Sequence, residues 1–276
     1  MGIVKLLNIG CGSTFHSDWV NIDMVSSSPE VRTHDIRKNL PYSDTEFDAC
    51  YSSHVLEHLS QQEAKNLLSE VYRILKPEGI IRIVVPDLES IVKDYLITLE
   101  QAESGQKEAD YDWMMLEFFD QTVRRFSGGE MGYVLKNNNI PNKDFVRYRI
   151  GSEAENYWDV NKSIAQKSLY EKIFAKKPYW FIQKFRIVMA KLLVAIIAGN
   201  KAKEAFEEGL FRNSGEIHRW MYDRFSLRRL LEHLGFKDVR VCRANESTIA
   251  DFNNYNLDII DGKIRKPDSL FIEAIK

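Results

Sequence analysis

What most constrains this chain is an alternation confined to its first 87 residues. Val4 to Ile9, Val20 to Met24 and Phe47 to Ser52 are short apolar runs separated by polar loops, and each reads as a strand. From Glu63 onward Ala64, Leu67, Leu68, Val71 and Leu75 recur at helical spacing, and Pro77-Glu78-Gly79 is expected to stop that helix before a strand at Ile80 to Val85. Strands joined through helices fold as parallel β/α units, so the class is α/β. Near the other end Ser226 is a plausible N-cap, Leu227, Leu230, Leu231 and Leu234 form one stripe, and Gly235 is a stop. Val239 to Arg243 and Leu270 to Ile275 then read as strands that pair antiparallel at the sheet edge. Between Leu88 and Gly215 the alternation is lost in helices and loops rich in Trp, Tyr and Phe. That stretch is too long for a connection. The expectation is one sheet domain, residues 1–87 and 216–276, interrupted by a helical insertion at 88–215 that serves as a lid, for substrate selection or for dimerisation.

The 276 residues carry 38 basic and 40 acidic side chains, a formal net charge of −2. Length and composition exclude collagen-like, coiled-coil and disordered classes. The near-zero sum hides two opposed blocks, net −7 over Asp94–Asp120 and net +9 over Lys162–Lys203. An acidic block of that size and a pI near 6.3 argue against nucleic acid as the partner. Three cysteines, Cys11, Cys50 and Cys242, are an odd number and point to a reduced, cytoplasmic setting. The N-terminal residues show no secretory signal, and Leu6 stands where a myristoylation signal wants Ser or Thr. Tyr179 to Ala198 is apolar apart from Gln183, Lys184, Arg186 and Lys191, but its longest charge-free run falls well short of the ~20 residues a membrane span needs. With Lys172, Lys176 and Lys177 before it, this segment reads as a buried lid helix or a homodimer contact, with peripheral contact to an anionic membrane as the rival.

Leu7-Asn8-Ile9-Gly10-Cys11-Gly12 puts two glycines at the carboxyl end of the first strand. Open α/β sheets bind ligands there, because glycine lets the backbone approach and expose its N–H groups. A dinucleotide site would want Gly or Ala where Phe15 stands, and an acidic residue about 20 positions on, whereas Asp23 follows Gly12 much sooner. No Lys-Ser or Lys-Thr follows, which excludes a P-loop. The loop suits a cofactor with an adenosine ribose and no pyrophosphate.

The Leu-Asn-Ile-Gly-Cys-Gly run is followed by Asn-Ile-Asp ending at Asp23, His-Asp-Ile ending at Ile36, Phe-Asp-Ala-Cys-Tyr-Ser-Ser-His-Val-Leu-Glu-His-Leu from Phe47 and Leu-Lys-Pro-Glu-Gly from Leu75. In this order and spacing the chain resembles a class I S-adenosylmethionine (SAM)-dependent methyltransferase of the broad type 11 group, with a Rossmann-like, mostly parallel sheet. The resemblance implies that Gly10, Cys11 and Gly12 face the methionine part of SAM. It implies that Asp23 accepts from the ribose hydroxyls, with Met24 beside it, and that Asp35 and Ile36 contact the adenine. Ser52 and Ser53, ending the Phe47 strand, and Asn8 complete the implied cofactor set. Many members have Asp or Glu where this chain has Asn8, which weakens a contact to the cofactor's ammonium group.

His54, Glu57 and His58 share one face if the segment after the Phe47 strand is helical. Read alone, His-Val-Leu-Glu-His matches the inverted zinc-peptidase pattern, a rival enzyme class that has no use for the glycine loop. The quinone-biosynthesis O-methyltransferases and small-RNA 2′-O-methyltransferases look similar here, with Glu-x-x-Glu-His binding a divalent metal. In this chain His54 replaces the first Glu, and His218 is a further candidate ligand or a general base. Three roles stay open: His54, Glu57, His58 and His218 as metal ligands; His58, His218 and Glu57 as metal-free acid–base groups; or a hydrogen-bonded framework. Aromatic and basic residues mix in Arg147-Tyr148-Arg149, Tyr157-Trp158 and Arg219-Trp220, which suits stacking on sugar rings and also on nucleobases, with ordinary core packing as the other reading. The Gly-Glu-Ile-His-Arg-Trp run resembles methyltransferases associated with surface-polysaccharide synthesis. The expected function is O-methylation of a sugar or other small hydroxylated acceptor, with a SAM-binding scaffold that assembles through its insertion as the alternative.

Overall fold

The structure, a computed structural model, describes residues 4–26, 28–137, 139–158 and 178–276. Its frame is a seven-stranded sheet. The strands are β1 (Leu6–Ile9), β2 (Val20–Asp23), β3 (Val31–Thr33), β4 (Phe47–Ser53), β5 (Leu75–Pro86), β6 (Lys237–Cys242) and, after a small hairpin of β7 (Ile259–Ile260) and β8 (Lys263–Ile264), β9 (Ser269–Ile275). Their order is β3-β2-β1-β4-β5-β9-β6. The first five run parallel, and β9 lies antiparallel between β5 and β6. The topology reverses at β1, so the ends of β1, β2 and β4 open on one crevice.

Alternation along β1 sends Leu7 and Ile9 into a core with Ile22, Leu68, Ile83, Leu231 and Ile272, while Leu6 joins Tyr51, Val84 and Phe271 on the opposite face. Helix α1 (Gln61–Ile74) starts in a capping box between Ser60 and Glu63 and buries Ala64, Leu67, Leu68, Val71 and Ile74 against the sheet. Three boundaries depart from the sequence expectation. Val4 and Lys5 lie outside β1. Pro77-Glu78-Gly79 lies within β5, because α1 ends at Ile74 and the chain pairs from Leu75 through a register shift opposite Phe47–Ala49. The last helix is capped by Asp223 and not by Ser226, which sits inside it as the reciprocal partner of the capping box.

The insertion supplies α2 (Leu88–Glu103), α3 (Glu108–Val123), α4 (Gly129–Lys136), α5 (Lys143–Ile150), α6 (Ser152–Trp158), α7 (Pro178–Ala198) and α8 (Asn200–Arg212); α9 (Arg224–His233) returns to the sheet. Trp113, Met114, Met131, Leu135, Val146, Ile150 and Ala154 form a separate core among α3–α6. Much of the acidic block turns inward. The Arg149 guanidinium pairs with Glu117 and, at 2.6 Å, with Asp94, while Asp120 accepts from the Glu130 N–H and pairs with Arg124. The expectation of a buried lid helix fails for α7 within the single chain. It packs on α8, Lys191 pairs with Glu207 at 3.1 Å, and Phe185, Val188, Leu192, Ile196 and Ile197 stay exposed. No described helix is long and apolar enough to cross a membrane. Lys162, Lys172, Lys176 and Lys177 of the basic block lie outside the described residues.

The insertion leaves and rejoins the sheet domain at one place. Asp87 caps α2 and takes a backbone bond from its own N–H to the Asp268 carbonyl, while the Leu88 N–H donates to the Tyr222 carbonyl. The segment between β6 and β9 is tied to the opposite face of the sheet by Arg82. That guanidinium, with no exposure, reaches Asp258 and Glu273 at 2.8 Å each.

Candidate active site

The glycine loop is shaped by two different demands. Gly10 has φ +67°, and a Cβ there would stand 2.3 Å from Val55 Cγ2. The loop backbone therefore presses on the start of the segment that follows β4, and the Gly10 and Cys11 N–H groups both donate to the Ile22 carbonyl. Gly12 also has positive φ, +54°, but faces open space. Its N–H donates to Asp23 Oδ2 at 2.9 Å, and Asp23 Oδ1 accepts from the Val25 N–H at 3.0 Å. The carboxylate ending β2 thus stands against the tip of the loop.

Gly10, Asp23, Met24 and Ile36 line a cavity of about 290 Å³ together with Arg37, Val55, Leu59, Glu63, His54 and His58. The turn Asn213-Ser214-Gly215 after α8 and Arg219 close it. Other expected cofactor residues are placed away from its walls. Asn8 is buried and donates to Thr14 and Asn21, which fixes the loop from behind. The Cys11 thiol is pushed up to about 11, by burial first and by Asp23 second, and stays protonated. Asp35 is held by the Arg37 guanidinium at 2.8 and 2.9 Å, which brings its carboxyl down to about 2 and leaves Arg37 on the wall in its stead. Ser53 accepts from Arg265 at 2.6 Å, and the Ser52 hydroxyl is buried with no hydrogen-bond partner among the described residues. The sequence reading missed Arg37, for which the adjacent Asp35 was a usable signal, and the 213–215 turn, for which there was none. The cavity's chemistry fits SAM: an open glycine backbone, the Asp23 carboxylate for a ribose, and apolar Met24, Ile36 and Val55 for a flat base.

The chain leaves β4 through His54 at φ +55° and makes a single 3₁₀ turn over Leu56–His58. No α-helix forms there, so the shared helical face is a correction. The zinc-peptidase arrangement is absent, since it needs His54 and His58 as paired ligands. His54 instead has Nε2 at 2.8 Å from Ser269 Oγ and Nδ1 at 3.3 Å from Glu57 Oε1. The Glu57 carbonyl accepts from the Arg219 and Trp220 N–H groups at 2.6 and 3.2 Å and brings the 217–220 segment onto the turn. His218 then meets His58 edge to face, ring centroids 4.8 Å apart, and the His58 Nε2 lies 3.9 Å from Glu57 Oε1.

Glu57 has no exposure, and neither carboxylate oxygen has a well-aligned hydrogen bond among the described residues; His218 Nδ1 is likewise unpartnered. Buried polar atoms without partners are uncommon and call for an explanation. Burial by itself would raise the Glu57 carboxyl, but His54, then His58 and His218, outweigh it and hold it at about 2. Burial brings His218 down to about 3. The carboxylate is ionised and the imidazole neutral, which is the protonation state that metal ligation requires. Donor atoms of Glu57, His58 and His218 all lie within 4.8 Å of one another, so these three fit one divalent ion. His54 is outside that group, turned to Ser269.

Residues 7–83 match the model of the family described as methyltransferase domain. No curated protein matches the chain in sequence. Among solved structures it is similar to a SAM-dependent methyltransferase from Archaeoglobus fulgidus, at 14% identity and TM-score 0.40 over 100% of this chain and 87% of that one. It is also similar to a SAM-dependent methyltransferase from Mesorhizobium loti, at 18% identity and TM-score 0.26 over 33% of this chain and 49% of that one. A third likeness is to the [4+2]-cyclase SpnF, at 25% identity and TM-score 0.26 over 30% of this chain and 39% of that one. The family match begins in β1, takes in the glycine loop, Asp23 and the His54–His58 turn, and ends in β5. Residues 7–83 thus match a methyltransferase domain, set in a mostly parallel sheet that brings the glycine loop and Asp23 to one crevice.

Proposed function

We propose that the chain methylates a hydroxyl oxygen of a small hydroxylated acceptor, a sugar being the favoured class. The observation that carries this reading is the unpartnered His218 Nδ1 beside the buried Glu57 carboxylate, its ring packed on His58, which lines the cofactor cavity. SAM supplies an electrophilic methyl group, and in-line displacement asks the protein chiefly for alignment and exclusion of water. Asp23 and the Gly10–Gly12 backbone hold the cofactor. His218 Nδ1 takes the hydroxyl proton as oxygen attacks, and the Glu57 carboxylate stabilises the imidazolium that results. In the alternative arrangement Glu57, His58 and His218 would instead hold a divalent ion, which would lower the pKa of the acceptor hydroxyl and leave His218 no role as the base. Loss of turnover in EDTA, restored by Mn²⁺, assigns that role; unaltered turnover rejects it.

Three further assignments belong to this reading. The sheet lobe, 1–87 with 216–276, supplies most of the cofactor cavity, and the insertion, 88–215, adds the 213–215 turn to it and serves acceptor selection. Free thiols at all three cysteines accord with a reduced, cytoplasmic setting. The exposed apolar side of α7 is a dimer contact, which sedimentation of wild type against Phe185→Glu/Ile196→Glu tests; an unchanged monomer in both rejects it.

Calorimetry with SAM and its demethylated product tests the function. Asp23→Ala removes a charged acceptor and should weaken binding by about 10- to 100-fold. Unchanged affinity in that variant would remove the site from this cavity, and tight SAM binding with no methyl acceptor in any extract would favour the scaffold alternative.

A further inference from the structure

A second cavity, of about 220 Å³, shares His54 and His58 with the cofactor cavity and adds His218. It lies between the carboxyl ends of β4 and β5 and the insertion, and among its side chains are His54, His58 and His218, which the sequence singles out. Resting on the methyltransferase reading above, we infer that this cavity is the acceptor pocket, that it takes one uncharged, hydroxyl-rich ring of monosaccharide size, and that Gly132 sets that size.

The charge of the walls decides the ligand's charge. Two cations line the cavity, Arg124 and Lys266, against three carboxylates, Glu153, Glu216 and Asp268. Each cation is already engaged: Lys266 with Glu153, and Arg124 with Asp120 at 3.1 Å and Glu216 at 3.6 Å. A phosphorylated or carboxylated acceptor would bring further negative charge into a space whose cations are committed, at a steep desolvation cost. A purely apolar ring would strand the polar atoms already there. Among the described residues Arg124 Nε and His218 Nδ1 are buried without partners, and Asp268, 6% exposed, receives a 3.4 Å approach from the Ser269 hydroxyl. Hydroxyls both donate and accept, so a ring carrying several of them satisfies cationic and anionic groups together. At about 30 Å³ per molecule the space equals about seven waters, which one sugar ring with its hydroxyls would displace.

The shape of the pocket follows from α4. Gly128 and Gly132 lie one turn apart beside the Tyr157 phenol, and Met131 and Leu135 make the apolar wall. Gly128 has φ +80°, so any side chain there strains the backbone. Gly132 does not: a Cβ at that position meets only Tyr157 Oη, at 3.6 Å. Alanine is a better helix former than glycine, so a side chain can be introduced at position 132 without unfolding α4.

The test is binding of neutral methyl glycosides of glucose, galactose, mannose and rhamnose, with glucose 6-phosphate, galactose 6-phosphate and mannose 6-phosphate as charged counterparts. Protein saturated with demethylated cofactor is titrated by saturation-transfer NMR and calorimetry, as wild type, Gly132→Ala and Gly132→Leu. At least one neutral glycoside should bind wild type, and Gly132→Leu should weaken it by about tenfold or more. The corresponding sugar phosphate should bind about tenfold more weakly than the neutral sugar. Cofactor affinity should be equal in all three proteins. Gly132→Ala, expected to melt no lower than wild type, should give a smaller loss in the same direction and carries the test if the leucine variant does not fold. Absence of any neutral binder, indifference of binding to both substitutions, or tighter binding of a phosphate would each overturn the inference. Failure of wild type to bind the cofactor would sink the methyltransferase reading itself, a separate and distinguishable result.

Discussion

Alanine at Gly10 meets two independent costs, and the neighbouring glycine separates them. At φ +67° a side chain sits in the left-handed region, which costs about 1–2 kcal/mol. The Cβ would also stand 2.3 Å from Val55 Cγ2, on a buried residue, and forcing a methyl into such packing costs about 1–3 kcal/mol more. Restricting the unfolded chain returns about 0.4–1 kcal/mol, so Gly10→Ala should destabilise by about 1–4.5 kcal/mol. At Gly12, φ +54° with open space, only the backbone strain applies, and the same change should cost about 0–1.5 kcal/mol. Urea denaturation followed by far-ultraviolet circular dichroism reads both. The decisive comparison is a double-mutant cycle with Val55→Ala, which removes the clashing methyl. In that background the cost of Gly10→Ala should fall to that of Gly12→Ala, a coupling of about 1–3 kcal/mol. Equal costs at the two glycines, or no coupling to Val55, would refute the argument that close approach of the loop to the segment after β4 is what demands glycine at position 10.

Three other outcomes follow from the geometry. His218 and Glu57 both titrate below their ordinary values in the folded chain, so the unfolded state binds more protons in the acid range. Stability is intact above about pH 6.5, falls as pH drops toward 3 while His218 resists protonation, and falls further below pH 4.5 as Glu57 does. Thermal melts should decline from pH 7 to 5 in wild type and less in His218→Gln; parallel declines would contradict this. Arg82→Met leaves Asp258 and Glu273 buried without their guanidinium and should cost about 3–5 kcal/mol in urea denaturation, a loss under about 1 kcal/mol being the adverse result. Glu57→Gln should abolish Mn²⁺ binding by calorimetry while the melt stays cooperative; undiminished binding would place the ion elsewhere.

The sheet was legible because its strands are nearly continuous apolar runs bounded by glycine or polar turns, as parallel strands buried on both faces must be. β3 escaped notice since only Val31 of its three residues is buried. The end of α1 was misplaced because Pro-Glu-Gly reads as a helix stop, whereas the helix has already given way at Leu75 to a strand that tolerates a bulge. Asp223 hid behind Ser226 because both residues of a capping box are good caps, and only the backbone distinguishes N-cap from third helical position. In the site, Asp23 announced itself by standing at a strand end. Arg124, Glu153 and Lys266 did not, since α3, α6 and the approach to β9 meet only after the insertion has folded. His54 keeps its Nδ1 toward Glu57, as the spacing suggested, but its Nε2 goes to Ser269, far along the chain, which no local pattern could show.

The hydrogen-bonded junction of Asp87 and Leu88 with Tyr222 and Asp268 has a consequence for how this chain could diversify. Because departure and return are neighbours, everything between them closes a loop whose entropic cost grows only logarithmically with its length. The sheet registers at that seam a fixed pair of ends and nothing of what they carry. A different helical cassette, longer or shorter, could be seated in the same socket with Asp23 and the glycine loop undisturbed. Exchange of acceptor preference between such chains would then be a matter of transplanting one contiguous segment, with Tyr222 as its receiving edge.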